Sequence, residues 1–154
     1  LSQAIARLLE PLDELAKSDP ICMISITCLP WHRVLNVSVL TASEVSEMPY
    51  LFDVEELESW RLARFSDGDT EWRAVATPIE HAMAAEFVAS GKDSREVLHR
   101  WLSLCAEALT SSESMAVIAK LNRVPEFKLS VADFDRGLEF VAGTRDSWIR
   151  IAPE

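Results

Sequence analysis

Hydrophobic and polar positions repeat along this chain with two periods. From Ser2 to Lys17, Ile5, Leu8, Leu9, Leu12 and Leu15 recur at helical spacing and lay down one apolar face. Pro11 interrupts that helix, which either kinks there or restarts with Pro11 in its first turn. Asp19-Pro20 stops it. Ile21 to Leu29 is apolar on both faces, with Cys22, Ile24, Ile26 and Cys28 on one and Ile21, Met23 and Leu29 on the other. This predicts a central strand. Val34 to Leu40 sets Leu35, Val37 and Val39 against Asn36 and Ser38, a second strand. The brief Pro30-Trp31-His32 link predicts an antiparallel hairpin.

Thr41 to Tyr50 reads as a loop ended by Pro49, after which Asp53 caps a short helix with Glu56, or the segment is a strand. Two β-like runs, Trp60 to Phe65 and Glu71 to Val75, flank Ser66-Asp67-Gly68-Asp69-Thr70. Gly68 there predicts a tight turn and a hairpin, with Trp60 and Trp72 pairing across it. Pro78 opens a helix running to Ala89 and Gly91 closes it. Asp93 and Glu96 cap the next helix, whose buried face is Val97, Leu98, Trp101, Leu102, Leu104, Cys105, Ala108 and Leu109. A short helix spans Ser112 to Leu121, and Phe127 to Val131 alternates as a strand. Phe134 to Val141 fits helix or strand, and Trp148 to Ile151 fits an edge strand. The order predicts one α+β domain over residues 1–154, an antiparallel sheet packed against several helices.

Composition narrows the function classes. At 49% hydrophobic, 154 residues can bury a real core. No apolar run approaches the roughly 20 residues of a membrane span, and no basic, apolar, small-residue leader pattern opens the chain. Cys22 and Cys28, six strand residues apart, would lie about 20 Å from each other, whereas a disulfide tolerates about 7 Å between Cα atoms. Three free buried thiols in a reducing cytoplasm are expected. A net charge of −10 disfavours nucleic acid and anionic membranes, because both repel an acidic surface.

Catalytic signatures are missing. The glycines at 68, 91, 137 and 143 are isolated and build no phosphate loop, and no GxSxG occurs. Asp67-Gly68-Asp69-Thr70-Glu71 resembles half a calcium loop, but the later glycine and the terminal glutamate at fixed spacing are lacking, so it reads as a solvated turn. His32, His81 and His99 are scattered without HExxH spacing. A Cys–His nucleophilic pair would need tertiary contact, such as Cys28 with His32. No catalytic residue, metal or cofactor is expected.

The remaining signal is local charge. Between Thr41 and Glu71 lie nine acidic residues, Glu44, Glu47, Asp53, Glu55, Glu56, Glu58, Asp67, Asp69 and Glu71, against only Arg61 and Arg64. At its plainest this is a solubilising face beside core aromatics. Its functional reading is a protein-binding surface, since a concentrated negative field steers a basic partner and aromatics anchor it. The candidate partner-binding residues are Glu55, Glu56, Glu58, Trp60, Asp67, Asp69, Glu71 and Trp72, with the tryptophans contributing if exposed.

The N-terminal helix, the Ile21–Leu29 and Val34–Leu40 pair, the acidic Trp60/Trp72 segment and the late Phe127–Asp133 strand together resemble the small acidic immunity proteins of bacterial toxin systems. The resemblance implies a cytoplasmic protein that binds and neutralises a cognate, basic toxin domain. It carries over no individual residue. Two other classes stay open: an adaptor or dimerisation module using its helices, and a small metal-dependent enzyme built from carboxylates and His81.

Overall fold

The computed structural model describes residues 1–52, 54–91, 95–133, 135, 138–142 and 149–150. The Ile-rich run forms strand β1 (Ile21–Leu29), buried at every position. A 3₁₀ turn at Pro30–His32, closed by Arg33 at φ 57°, returns the chain as β2 (Val34–Thr41). The two are antiparallel, with Ile24 opposite Val39, Ile26 opposite Val37 and Cys28 opposite Leu35. The predicted hairpin is there in that form.

On the other edge of β1 lies β3 (Arg123–Asp133), longer than the Phe127–Val131 run and parallel to β1. Then come β4 (Leu138–Ala142) and β5 (Ile149–Arg150), each antiparallel to its predecessor. The order is β2-β1-β3-β4-β5. The fold is α+β, as expected, and its sheet is mixed. About 80 residues of mostly helical chain separate β2 from β3, enough for the crossover that a parallel neighbour needs. Of the two readings at 134–141, Leu138–Val141 resolves as strand and Phe134 lies outside the described residues. The predicted last strand is present at Ile149–Arg150, while Trp148 and Ile151 lie outside.

Helices cover one face of the sheet. The N-terminal helix restarts rather than kinks: α1 (Ser2–Leu9) ends before Pro11, and α2 (Leu12–Ser18) begins after it. Ile5, Leu8, Leu9 and Leu12 join Ile24, Ile26, Cys28, Val37, Val39 and Val131 in the main core, together with Leu98, Leu102 and Cys105 of α5 (Arg95–Leu109) and Ile118 of α6 (Ser112–Ile118). The Asp93 cap expected for α5 falls outside the described residues.

The segment 41–75 departs from expectation. Ala42–Glu47 is helix α3, not loop: the Glu44 carboxylate reaches back to the Thr41 N–H at 3.2 Å and its hydroxyl at 2.9 Å. The Asp53 cap lies outside the described residues, and Val54–Ser59 is a 3₁₀ helix. The hairpin over 60–75 does not form. Phe65–Gly68 is a 3₁₀ turn, and α4 runs from Thr70 to Ala89 with Pro78 in its interior rather than at its start. Asp69 supplies the reason. Its carboxylate accepts the Trp72 N–H at 2.7 Å, which caps a helix there. Trp72, Ala76 and Met83 then recur at helical spacing and bury against the core. Gly68 does not take the positive φ a tight hairpin would need, whereas Gly91 does at +66° and ends α4 as predicted.

This rearrangement protects the edge of the sheet. β2 is an edge strand, and its outward N–H groups would be free to pair with other chains. Leu35 N–H donates to the Glu80 carboxylate at 3.1 Å, Val37 N–H to Ser66 Oγ at 2.9 Å and Val39 N–H to the Leu62 carbonyl at 3.3 Å. Glu80, itself buried, also receives the Arg73 guanidinium at 3.0 and 2.7 Å.

Candidate functional site

Alternation along the strands gives the sheet a second face, opposite the helices. Ser25 and Thr27 of β1, Asn36 and Ser38 of β2 and Ser130 of β3 lie on it, and all are buried. Ser25 stands opposite Ser38 on one side and Ser130 on the other, and Thr27 stands opposite Asn36 and Ala132. One end of this face is apolar. There Met23 and Leu40 pack with Leu51, Leu57 and Trp60 of the segment that follows α3, in a cluster that extends along the face to Ala132 beside Thr27.

At the other end the segment stands off, leaving a cleft of about 350 Å³ lined by Thr27, Leu29, His32, Val34, Asn36, Leu57, Glu58, Arg64 and Asp135. Thr27 Oγ1, at its floor, is buried and among the described residues has no hydrogen-bond partner, and neither has Ser25 Oγ one step along the same face. At the rim, Asp135 Oδ2 accepts Trp31 Nε1–H at 3.0 Å and lies 3.1 Å from His32 Nε2. Arg64 sits in the left-handed region at φ 56°, a conformation that costs a non-glycine residue energy. Ser38 Oγ holds it there by accepting the Arg64 N–H at 3.0 Å. With its amide turned to donate, Asn36 gives a hydrogen bond of 2.9 Å to Asp67 Oδ1.

The sequence-derived site residues divide into three groups. Trp60 and Trp72 are buried, 3% and 1% exposed, in different apolar clusters, so they neither pair nor offer anchorage to a partner. Burying two indoles stabilises the fold more than leaving them on an acidic surface, and Trp60 Nε1–H finds the Leu51 carbonyl at 3.0 Å. Asp69 and Glu71 serve local structure, Asp69 as the α4 cap and Glu71 in an exposed pair with Arg7 at 2.8 Å. Glu58 and Asp67 are exposed at or beside the cleft, and Glu56 is half-buried. The Glu55 side chain lies outside the described residues.

Other acids of the stretch also turn inward. Glu44 is buried and accepts the Arg61 N–H at 2.6 Å as well as both Thr41 donors, while Glu47 pairs with the Arg61 guanidinium. Much of the acidity therefore holds the chain around the sheet.

The cysteines are structural. Cys28 lies on the helix-covered face, 3.6 Å from Met83 Sδ, so it cannot meet His32, which lines the cleft on the opposite face. Its hydrogen bond with Cys105, and then burial, hold the Cys28 thiol well above its usual range. Burial pushes the Cys22 thiol up to about 11. Glu80 is committed to Arg73 rather than to a site with His81. His81 instead lines an apolar groove with Trp31, Arg33, Phe87 and Val88. No group of three or more His, Cys, Asp or Glu able to hold a metal occurs among the described residues, and none of the helices there is long and apolar enough to cross a membrane.

His32, Arg64, Asp135 and Thr27 were not legible as a site from spacing. A signal existed for the floor: Ser25 and Thr27 break the apolar alternation of β1 on the side opposite Ile24 and Ile26, matching Asn36 and Ser38 of β2. No family model matches this chain, and no curated protein or solved structure matches it.

Proposed function

We propose that this protein binds and neutralises a basic protein partner, in the manner of the immunity proteins of bacterial toxin systems. One observation carries the reading: Glu58 and Asp135 line the same cleft and Asp67 is joined to it through Asn36, so that carboxylates outnumber the single arginine there, Arg64, on a chain of net charge −10. Carboxylates gathered at a concavity focus a negative field and steer a cationic surface toward it. The acids, without the buried tryptophans, supply the contact. The reading assigns the chain no catalysis and places it in a reducing cytoplasm, in keeping with Cys22, Cys28 and Cys105 all being free and buried.

The test is affinity capture from the source cell at low and high salt, with the wild-type chain and with Glu55, Glu56 and Glu58 reversed to lysine. The expected result is one basic partner whose association slows roughly tenfold or more in the triple variant and loses its salt dependence. Unchanged binding by a folded triple variant overturns the reading. A second reading, an adaptor, is favoured by Val88, 79% exposed beside Trp31 and Phe87, and predicts a partner held equally at both salts.

A further inference from the structure

We propose that the cleft over the polar face of the sheet is a binding site for a small zwitterion, a free α-amino acid. The proposal does not rest on partner binding. It starts from the floor. A buried hydroxyl without a partner is costly, and folds rarely keep one without a use. Here two lie in line, Thr27 Oγ1 and Ser25 Oγ, and Thr27 lines an open cleft beside the Asn36 amide. At about 350 Å³ the cleft lies at the small end of ligand sites, which span roughly 300–1,000 Å³.

The rim selects the ligand's charges. Arg64 and Glu58 both line the cleft, and among the described residues neither makes an ion pair. Arg64 is fixed at its backbone by Ser38, so its guanidinium projects from a held position. A simple anion would meet Arg64 but be repelled by Glu58 and Asp135. A simple cation would meet those carboxylates but be repelled by Arg64. A molecule with both charges on one carbon satisfies both sides, and mismatched charge rejects the rest. Its carboxylate takes the Arg64 fork and the unpartnered Thr27 hydroxyl at the floor. Its ammonium takes Glu58 and Asp135.

The experiment uses the full chain and the standard free α-amino acids one at a time, screened by thermal shift and saturation-transfer NMR, with hits measured by calorimetry. One or a few of them are expected to bind. For a hit, its carboxamide and its N-acetyl derivative, each missing one charge, are expected to bind at least tenfold more weakly. Arg64→Gln, an exposed change that leaves the fold intact, is expected to weaken binding tenfold or more. Thr27→Val is expected to weaken it about fivefold, with Thr27→Ser restoring it. If none of the amino acids binds, or if a hit binds Arg64→Gln and Thr27→Val as tightly as it binds the wild type, the proposal fails. Such a failure leaves the partner reading standing, because the triple lysine variant tests that independently.

Discussion

The Arg73–Glu80 pair, which guards the β2 edge, yields the sharpest energetic prediction. The Glu80 side chain is only 6% exposed, while Arg73 is 36% exposed. Replacing Arg73 by methionine keeps the aliphatic stem but leaves the carboxylate buried with one remaining donor, the Leu35 N–H at 3.1 Å. Two unit charges about 4 Å apart at an effective dielectric of about 20 attract by about 4 kcal/mol. Solvent around Arg73 screens part of this, so Arg73→Met is expected to cost about 2–3 kcal/mol. Glu80→Met leaves a partly solvated arginine, which is cheap, and an unsatisfied Leu35 N–H, which costs about 1–3 kcal/mol. The double variant carries no buried charge, so it should cost no more than Glu80→Met alone. The two single effects therefore should not add, and the cycle should show about 2 kcal/mol of coupling. Urea denaturation of the four proteins at pH 7, compared at constant m, measures it. Additive singles, or an Arg73→Met cost below about 1 kcal/mol, would refute the claim that this carboxylate depends on its arginine.

Two further outcomes follow from the same reasoning. Burial alone would raise the Asp19 carboxyl, but the Ser43 hydroxyl at 2.5 Å and the Ser43 N–H at 2.9 Å, with Thr41 and Arg61 beyond, hold it below its usual value. Its stabilising effect is therefore complete above the unfolded carboxyl pKa of about 3.9 and is lost as pH falls through the lower folded value. Urea midpoints taken from neutral pH down to pH about 3 should fall less steeply for Asp19→Asn than for the wild type. Asp69→Ala should cost about 1 kcal/mol by uncapping α4, with Asp69→Asn recovering most of it in thermal unfolding; equal losses in both variants would contradict the cap.

What the sequence determined by itself was local and periodic. The β1–β2 hairpin, the apolar faces of α1 and, apart from the exposed Leu104, of α5, and the end of α4 at Gly91 all follow from side-chain spacing and backbone freedom, which act within a few residues. The capping box at Thr41 and Glu44 is equally local, a Thr followed three residues later by a Glu. Segment 60–75 shows the limit. Ser66 to Thr70 carries turn chemistry that serves a hairpin or a helix start equally well, and the burial of Trp72 against the main core decided for the helix. The same tertiary choice carried Trp60 to the other side of the sheet and Glu80 to the β2 edge. The cleft belongs to that level too. Thr27, His32, Arg64 and Asp135 are up to 108 positions apart, and no spacing rule connects residues that only the folded sheet and the wrapped acidic segment bring together. Spacing reports which face a residue occupies; only packing, where buried area is traded against unpaired polar groups across the whole chain, determines what that face meets.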